Sequence, residues 1–346
     1  MKKIIAVVIG IKVMALIVFA VLVYRWTITP FGRLHPIMAI LHRLLTFVTN
    51  TGKFDRHDLP KVRQLMRLAK PIVPLAKVVD RTIALPGRNI PVRIYRPEGQ
   101  GPFPVIVYYH GGGFMIGCVE SHENLCRSLA KSSSTIVVSV GYRLAPEYPY
   151  PAAMDDAFGA VQWVQANAAE FEGDPDRIAV AGDSAGGNLA AAVCLRARDE
   201  KGPLIRLQIL IYPVVYLGDI ELPSRHNFKG YIITEESGSH ILNGYIPDPK
   251  DRNSPYASPL LAPDHSDLPP AYIMTAAFDP LLDEGRFYAD RLEEAGVPVI
   301  YHKVDGMVHG FMSYKDLVSF FPPLIHLLKQ PDQIFAEIAA AVRTWL

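Results

Sequence analysis

Ile178-Ala179-Val180-Ala181-Gly182-Asp183-Ser184-Ala185-Gly186-Gly187-Asn188-Leu189-Ala190-Ala191 is the stretch on which the reading of the whole chain turns. Its first residues suit a buried strand, and the run after Gly187 has the composition of a helix. Between them, Gly182 to Gly186 fits G-x-S-x-G. That pattern puts a serine on a tight strand-to-helix turn, with its hydroxyl lifted above the sheet and glycines beside it to avoid clashes. The helix N-terminus behind Ser184 favours the negative charge that develops when the hydroxyl attacks a carbonyl. Alone, such a pattern turns up in roughly one chain in ten of this length by chance. Its neighbours decide what it means.

Outward from this turn, short apolar runs alternate with helical stretches. Val105–Tyr109, Thr135–Val140, Ile178–Ala181, Leu207–Tyr212, Ala271–Ala277 and Val299–Val304 are the expected strands, with helices over 121–131, 152–169, 187–200 and 281–295. Such alternation implies βαβ crossovers and a mostly parallel sheet covered on both faces, an α/β fold. Residues 214–260 break the alternation and are rich in Pro, Gly, Ser and Asn, so they read as an excursion from the sheet. Residues 30–75 read as helical pieces interrupted by Pro36, Pro60, Pro71 and Pro74. Together these two regions could form a lid; the plainer alternative is an ordinary surface insertion.

A second glycine loop follows the first expected strand: Tyr108-Tyr109-His110-Gly111-Gly112-Gly113-Phe114. Its glycines let the backbone approach a ligand closely. The amides of Gly111 and Gly112, with that of Ala185, are expected to point at one carbonyl oxygen and stabilise its oxyanion. The dinucleotide pattern G-x-G-x-x-G is absent, as is a Walker A loop. His110 is read as a residue fixing this loop, not as a base. A serine nucleophile needs a base, and the base needs an orienting acid. Among His226, His240, His265, His302, His309 and His326, only His309 lies in a loop just beyond a strand, in Gly306-Met307-Val308-His309-Gly310-Phe311. For the acid, Asp279 ends the run Ala271–Ala277 on the side where open α/β sheets place their ligands. Asp283 and Glu284 are the runners-up. The order Ser184, Asp279, His309 differs from those of chymotrypsin-like and subtilisin-like enzymes.

Composition narrows the remainder. The 346 residues carry a formal charge of +1, which gives no electrostatic footprint for nucleic acid. Three cysteines are too few for a disulfide framework; Cys194 reads as core, and Cys118 with Cys126 is the single pairing worth weighing. No metal or organic cofactor is expected, since neither HExxH nor paired C-x-x-C occurs. After Lys2 and Lys3, residues 4–24 are apolar except for Lys12. About 20 helical residues span roughly 30 Å, the thickness of a bilayer core. No small-x-small cleavage site closes the run, so it reads as an uncleaved signal anchor in preference to a cleaved signal or a buried core helix. Lys2 and Lys3 argue for an inside N-terminus and a catalytic domain outside the cytoplasm, although Arg25, Arg33 and Arg43 blunt that asymmetry.

With these pieces assembled, the chain resembles the hormone-sensitive-lipase family of α/β-hydrolases, which includes bacterial esterases and the arylacetamide deacetylases. The resemblance runs from about residue 78 to 315. It rests on His110-Gly111-Gly112-Gly113-Phe114, Tyr142-Arg143-Leu144-Ala145-Pro146-Glu147, Gly182-Asp183-Ser184-Ala185-Gly186-Gly187, Asp279-Pro280-Leu281-Leu282-Asp283-Glu284-Gly285 and His309-Gly310-Phe311. It implies an α/β-hydrolase fold with a helical cap, and an esterase with nucleophile Ser184, acid Asp279, base His309 and oxyanion donors Gly111, Gly112 and Ala185. It implies a layout of anchor (1–25), N-terminal cap helices (26–75) and catalytic domain (76–346) with a cap insertion near 214–260. The substrate expected is a small-molecule or lipid ester. Amide hydrolysis uses the same parts. A catalytically silent ligand-binding relative is the rival from another class, and it would be expected to lack the nucleophile or base. The apolar run Leu317–Leu328 is longer than the resemblance leads one to expect; packing against the cap and contact with a bilayer are its two readings.

Overall fold

From the amino terminus, helix α1 (Lys2–Thr27) runs directly into a two-stranded ribbon, β1 (Ile28–Thr29) with β2 (Gly32–Arg33), and then helices α2 (Pro36–Thr49) and α3 (Leu59–Met66). The computed structural model describes residues 2–49, 58–68, 70–218, 221–228, 230–231, 233–313 and 328–346. Among these, α1 is the one helix long and apolar enough to cross a membrane, and only 6% of its Ile9–Thr27 stretch is buried. Its base is fixed: Leu34 N–H donates to Thr27 O at 2.8 Å, and His35 N–H to Gly306 O at 2.9 Å.

The buried apolar runs form the middle of one eight-stranded sheet. It comprises β3 (Lys77–Leu85), β4 (Arg88–Arg96), β5 (Phe103–Tyr109), β6 (Ile136–Val140), β7 (Gly173–Asp183), β8 (Leu207–Ile211), β9 (Ala271–Phe278) and β10 (Val299–Val308). The spatial order is β10-β9-β8-β7-β5-β6-β4-β3. From β6 to β10 the ladders are parallel, whereas β4 pairs antiparallel with both β3 and β6. All six strands read from sequence are present.

The period of two along a strand sorts side chains onto the two faces. Val105, Val107 and Tyr109 join one apolar cluster, and Ile106 and Tyr108 the other. Helices α5 (Ala152–Asn167), α6 (Ala185–Asp199) and α9 (Leu282–Glu294) cover the first face, through residues such as Val161, Leu189 and Leu292. Helices α2, α4 (Glu123–Ser133) and α10 (Gln330–Trp345) cover the second, through Met38, Leu129 and Ile338. Between β8 and β9 the chain leaves the sheet and forms α7 (Pro223–Asn227) and α8 (Glu235–Tyr245).

The β3–β4 hairpin was not foreseen. β3 is a half-exposed edge strand carrying Lys77, Asp80 and Arg81, and Pro91 argues against a strand. Pro91 is tolerated because the β4–β6 ladder begins only at Val92. The cysteines are free thiols: Cys126 and Cys194 are buried, and no Cys118–Cys126 bridge forms. Residues 317–327 of the apolar run, His326 among them, lie outside the described residues; Leu328 is buried.

Candidate active site

Ser184 caps the N-terminus of α6 with φ +54° and ψ −117°, a backbone that a side chain adopts only under strain. Two neighbours enforce it. Ser184 N–H donates to Ile211 O at 2.9 Å, and a Cβ at Gly186 would lie 1.9 Å from Tyr109 O. The turn is therefore pressed against the end of β5, and the hydroxyl emerges at the carboxyl ends of the parallel strands.

His309 follows β10 and Asp279 follows β9, so both arrive at that same edge. The Ser184 hydroxyl lies 2.9 Å from His309 Nε2, and His309 Nδ1 lies 2.7 Å from Asp279 Oδ2. A carboxylate can only accept, which places the ring proton on Nδ1 and leaves Nε2 free to accept from the serine. Asp279 is fully buried, and its other oxygen accepts from Leu281 N–H at 2.9 Å. Burial alone would lower the His309 pKa; the adjacent Asp279 carboxylate more than offsets this, and the net direction is upward.

The glycine loop differs from expectation at one position. Gly111 N–H donates to Asp183 Oδ1 at 2.8 Å and is not available to a substrate oxygen. The amides of Gly112 and Gly113 have no hydrogen-bond acceptor among the described residues, and Ala185, as the first residue of α6, has an N–H without an intrahelical partner. Gly112, at φ +118°, holds a conformation that side chains rarely adopt. The sequence motif supplied the glycines but not the direction of each amide.

Asp183 itself was missed. It accepts from Tyr108 Oη at 2.6 Å, and His122 Nε2 lies 3.2 Å from its Oδ1. Burial would raise its pKa, but His122 and the hydrogen bonds from Tyr108 and Gly111 hold the carboxyl down at about 2. A signal was available, because an acid at the end of a buried strand needs buried partners. His110 behaves as read: it is buried, stacks on Tyr142 at 4.3 Å, and burial followed by nearby His122 pushes its pKa down to about 3.

A cavity of about 710 Å³ opens over Ser184 and His309. Leu59 and Met66 of α3, Tyr216 and Leu222 of the excursion, and Ile241 of α8 supply apolar lining. The two runner-up acids hold this excursion in place. Glu284 accepts from Val215 N–H at 2.9 Å and pairs with Arg225 at 2.7 Å, while Asp283 accepts from Ser224 N–H at 2.7 Å. Of the other histidines, His302 pairs with Glu337, His265 bonds the Pro259 carbonyl, and His226 and His240 line the cavity away from the serine–imidazole contact.

Residues 106–313 match the family described by the alpha/beta hydrolase fold. Carboxylesterase NlhH of Mycobacterium tuberculosis is 41% identical over 287 residues, covering 81% of this chain and 89% of that protein. An arylesterase of Saccharolobus solfataricus is 41% identical over 272 residues, covering 77% and 88%. The solved structure of a hyperthermophilic esterase from Pyrobaculum calidifontis superposes with a TM-score of 0.79 at 38% identity, covering 88% of this chain and 97% of its own. With a serine, a histidine and a carboxylate meeting beneath an apolar cavity, and relatives of this kind across most of its length, the chain belongs to the α/β-hydrolase family and is a carboxylic ester hydrolase.

Proposed function

We propose that Ser184 is the nucleophile, His309 the general base and acid, and Asp279 the residue that orients and charges the imidazole. The observation that carries this reading is the unbroken chain Ser184–His309–Asp279 with contacts of 2.9 and 2.7 Å. His309 Nε2 takes the serine proton as Oγ bonds to the ester carbonyl carbon. The carbonyl π electrons move onto oxygen, and the amides of Gly112, Gly113 and Ala185 donate hydrogen bonds to the resulting oxyanion. As the tetrahedral centre collapses, the C–O bond to the alcohol breaks and His309 gives the alkoxide its proton. Water repeats the sequence on the acyl-enzyme and releases the acid.

The rest of the chain serves this centre in our reading. Residues 1–25 anchor the enzyme in a membrane, with the catalytic domain of residues 76–346 outside the cytoplasm. Residues 26–75 and the insertion near 214–260 form the cap that shapes the acyl pocket, and the exposed apolar length of α1 supports the anchor. Ser184→Ala is expected to abolish hydrolysis of p-nitrophenyl esters while leaving the far-ultraviolet circular dichroism unchanged. An acylation burst surviving in that variant would remove Ser184 from the role.

A further inference from the structure

Helix α3 has two sides with different surroundings. Inward, Leu59 is buried and lines the cavity together with Met66. Arg63 pins the helix to the loop below, donating to Met115 O and Ala145 O at 2.8 Å each and pairing with Glu147 at 2.9 Å. Away from the cavity, Leu65 of α3 is 65% exposed, and beyond the end of the helix Leu68 is 67% and Ile72 53% exposed. Lys61, Arg67 and Lys70 are exposed among them, and no acidic residue occurs from position 59 to 79. A single exposed leucine needs no explanation. Large aliphatic residues interleaved with cations, on a short helix at the cavity wall and the segment that follows it, have the composition of a stretch lying in a membrane interface.

We infer that the exposed side of α3 and of the segment after it, as far as Ile72, is a second membrane contact. Leu65, Leu68 and Ile72 enter the acyl boundary of an anionic bilayer, and Lys61, Arg67 and Lys70 meet its phosphates. The cavity behind Leu59 and Met66 then receives esters dissolved in the membrane instead of esters from bulk water. This rests on the reading of α1 as a membrane span. The occupant is a lipid surface because the patch combines apolar side chains with Lys61, Arg67 and Lys70 in a run of sequence without acids, and because α1 exposes apolar side chains over most of its length.

The test uses the full chain in phosphatidylcholine vesicles with and without phosphatidylglycerol, with lipids brominated on the upper acyl chain. Leu68→Trp and, separately, Leu16→Trp add a fluorophore to each site. Bromolipid quenching of both added fluorophores is expected, with that at position 68 strengthened by phosphatidylglycerol. Quenching at 16 without quenching at 68 overturns the inference and leaves the anchor standing. Quenching at neither site removes the anchor reading and this one with it. Emission from position 68 that is blue-shifted in every vesicle yet unquenched means protein covers it, which also overturns the inference. In parallel, Leu65→Gln with Leu68→Gln is expected to raise the apparent KM for a bilayer-dissolved ester severalfold, with kcat for a water-soluble ester unchanged. Equal effects on both substrates would point to a disturbed cavity and count against a membrane role.

Discussion

At the scale of single residues, the proposed mechanism makes His309 the group that sets the working pH. Its pKa lies above 6.5, because the Asp279 carboxylate more than offsets the effect of burial. The neutral imidazole is the base, so activity is present above that raised pKa and lost as pH falls through it. The acid limb of kcat/KM against pH should therefore lie higher than an ordinary histidine would place it. Asp279→Asn removes the charge that raises it: the limb should move down, and kcat should fall by roughly 10⁴-fold, as when the acid of such a triad is neutralised. Asp283→Asn, which alters a contact with Ser224, should leave kcat near the parent value. If Asp283→Asn proved the damaging change, Asp279 would lose its role. That Ser184, Asp279 and His309 would meet was legible, because the acyl transfer proposed for them demands those residue types at strand ends in that order. The use of Gly111 was not, since a glycine in sequence says nothing about where its N–H points. That direction was fixed by Asp183, read at first only as an unspecified position in the serine motif.

At the scale of elements, two side chains clamp the roof to the sheet. Arg63 ties α3 to the glycine loop, and Glu284 of α9 ties down residues 215–225. Glu284 is fully buried, and burial raises its pKa despite the Arg225 partner. Removing Glu284 leaves the buried amides of Val215 and Tyr216 without their acceptor and Arg225, 29% exposed, without its partner carboxylate, at a cost of about 1–3 kcal/mol. Glu284→Ala should thus lower the urea midpoint accordingly and raise KM, because Tyr216 and Leu222 line the cavity. An unchanged midpoint would mean that the excursion is held by other contacts. The buried parallel strands were legible from their uninterrupted apolar runs. The β3–β4 hairpin was not, because an edge strand with one wet face carries no such run and Pro91 speaks against it.

At the scale of the molecule, catalytic fold and apolar helix meet at a narrow junction. Removing residues 1–23 should release the enzyme into the aqueous fraction and leave kcat toward a water-soluble ester intact, since among the described side chains of this region the first packed against the core is Trp26. Loss of activity in a folded truncated chain would mean that α1 contributes to the site itself. The junction has a further consequence. Thr27 passes into β1 with no intervening residue, and the His35–Gly306 bond lies three residues before His309. With α1 in a bilayer, so little slack would fix the height and tilt of the serine, and the enzyme could spin about the membrane normal but not tumble. Encounters would then be counted per unit area. Turnover would follow the mole fraction of ester in the lipid, falling when inert lipid is added and staying constant when the same vesicles are diluted with buffer.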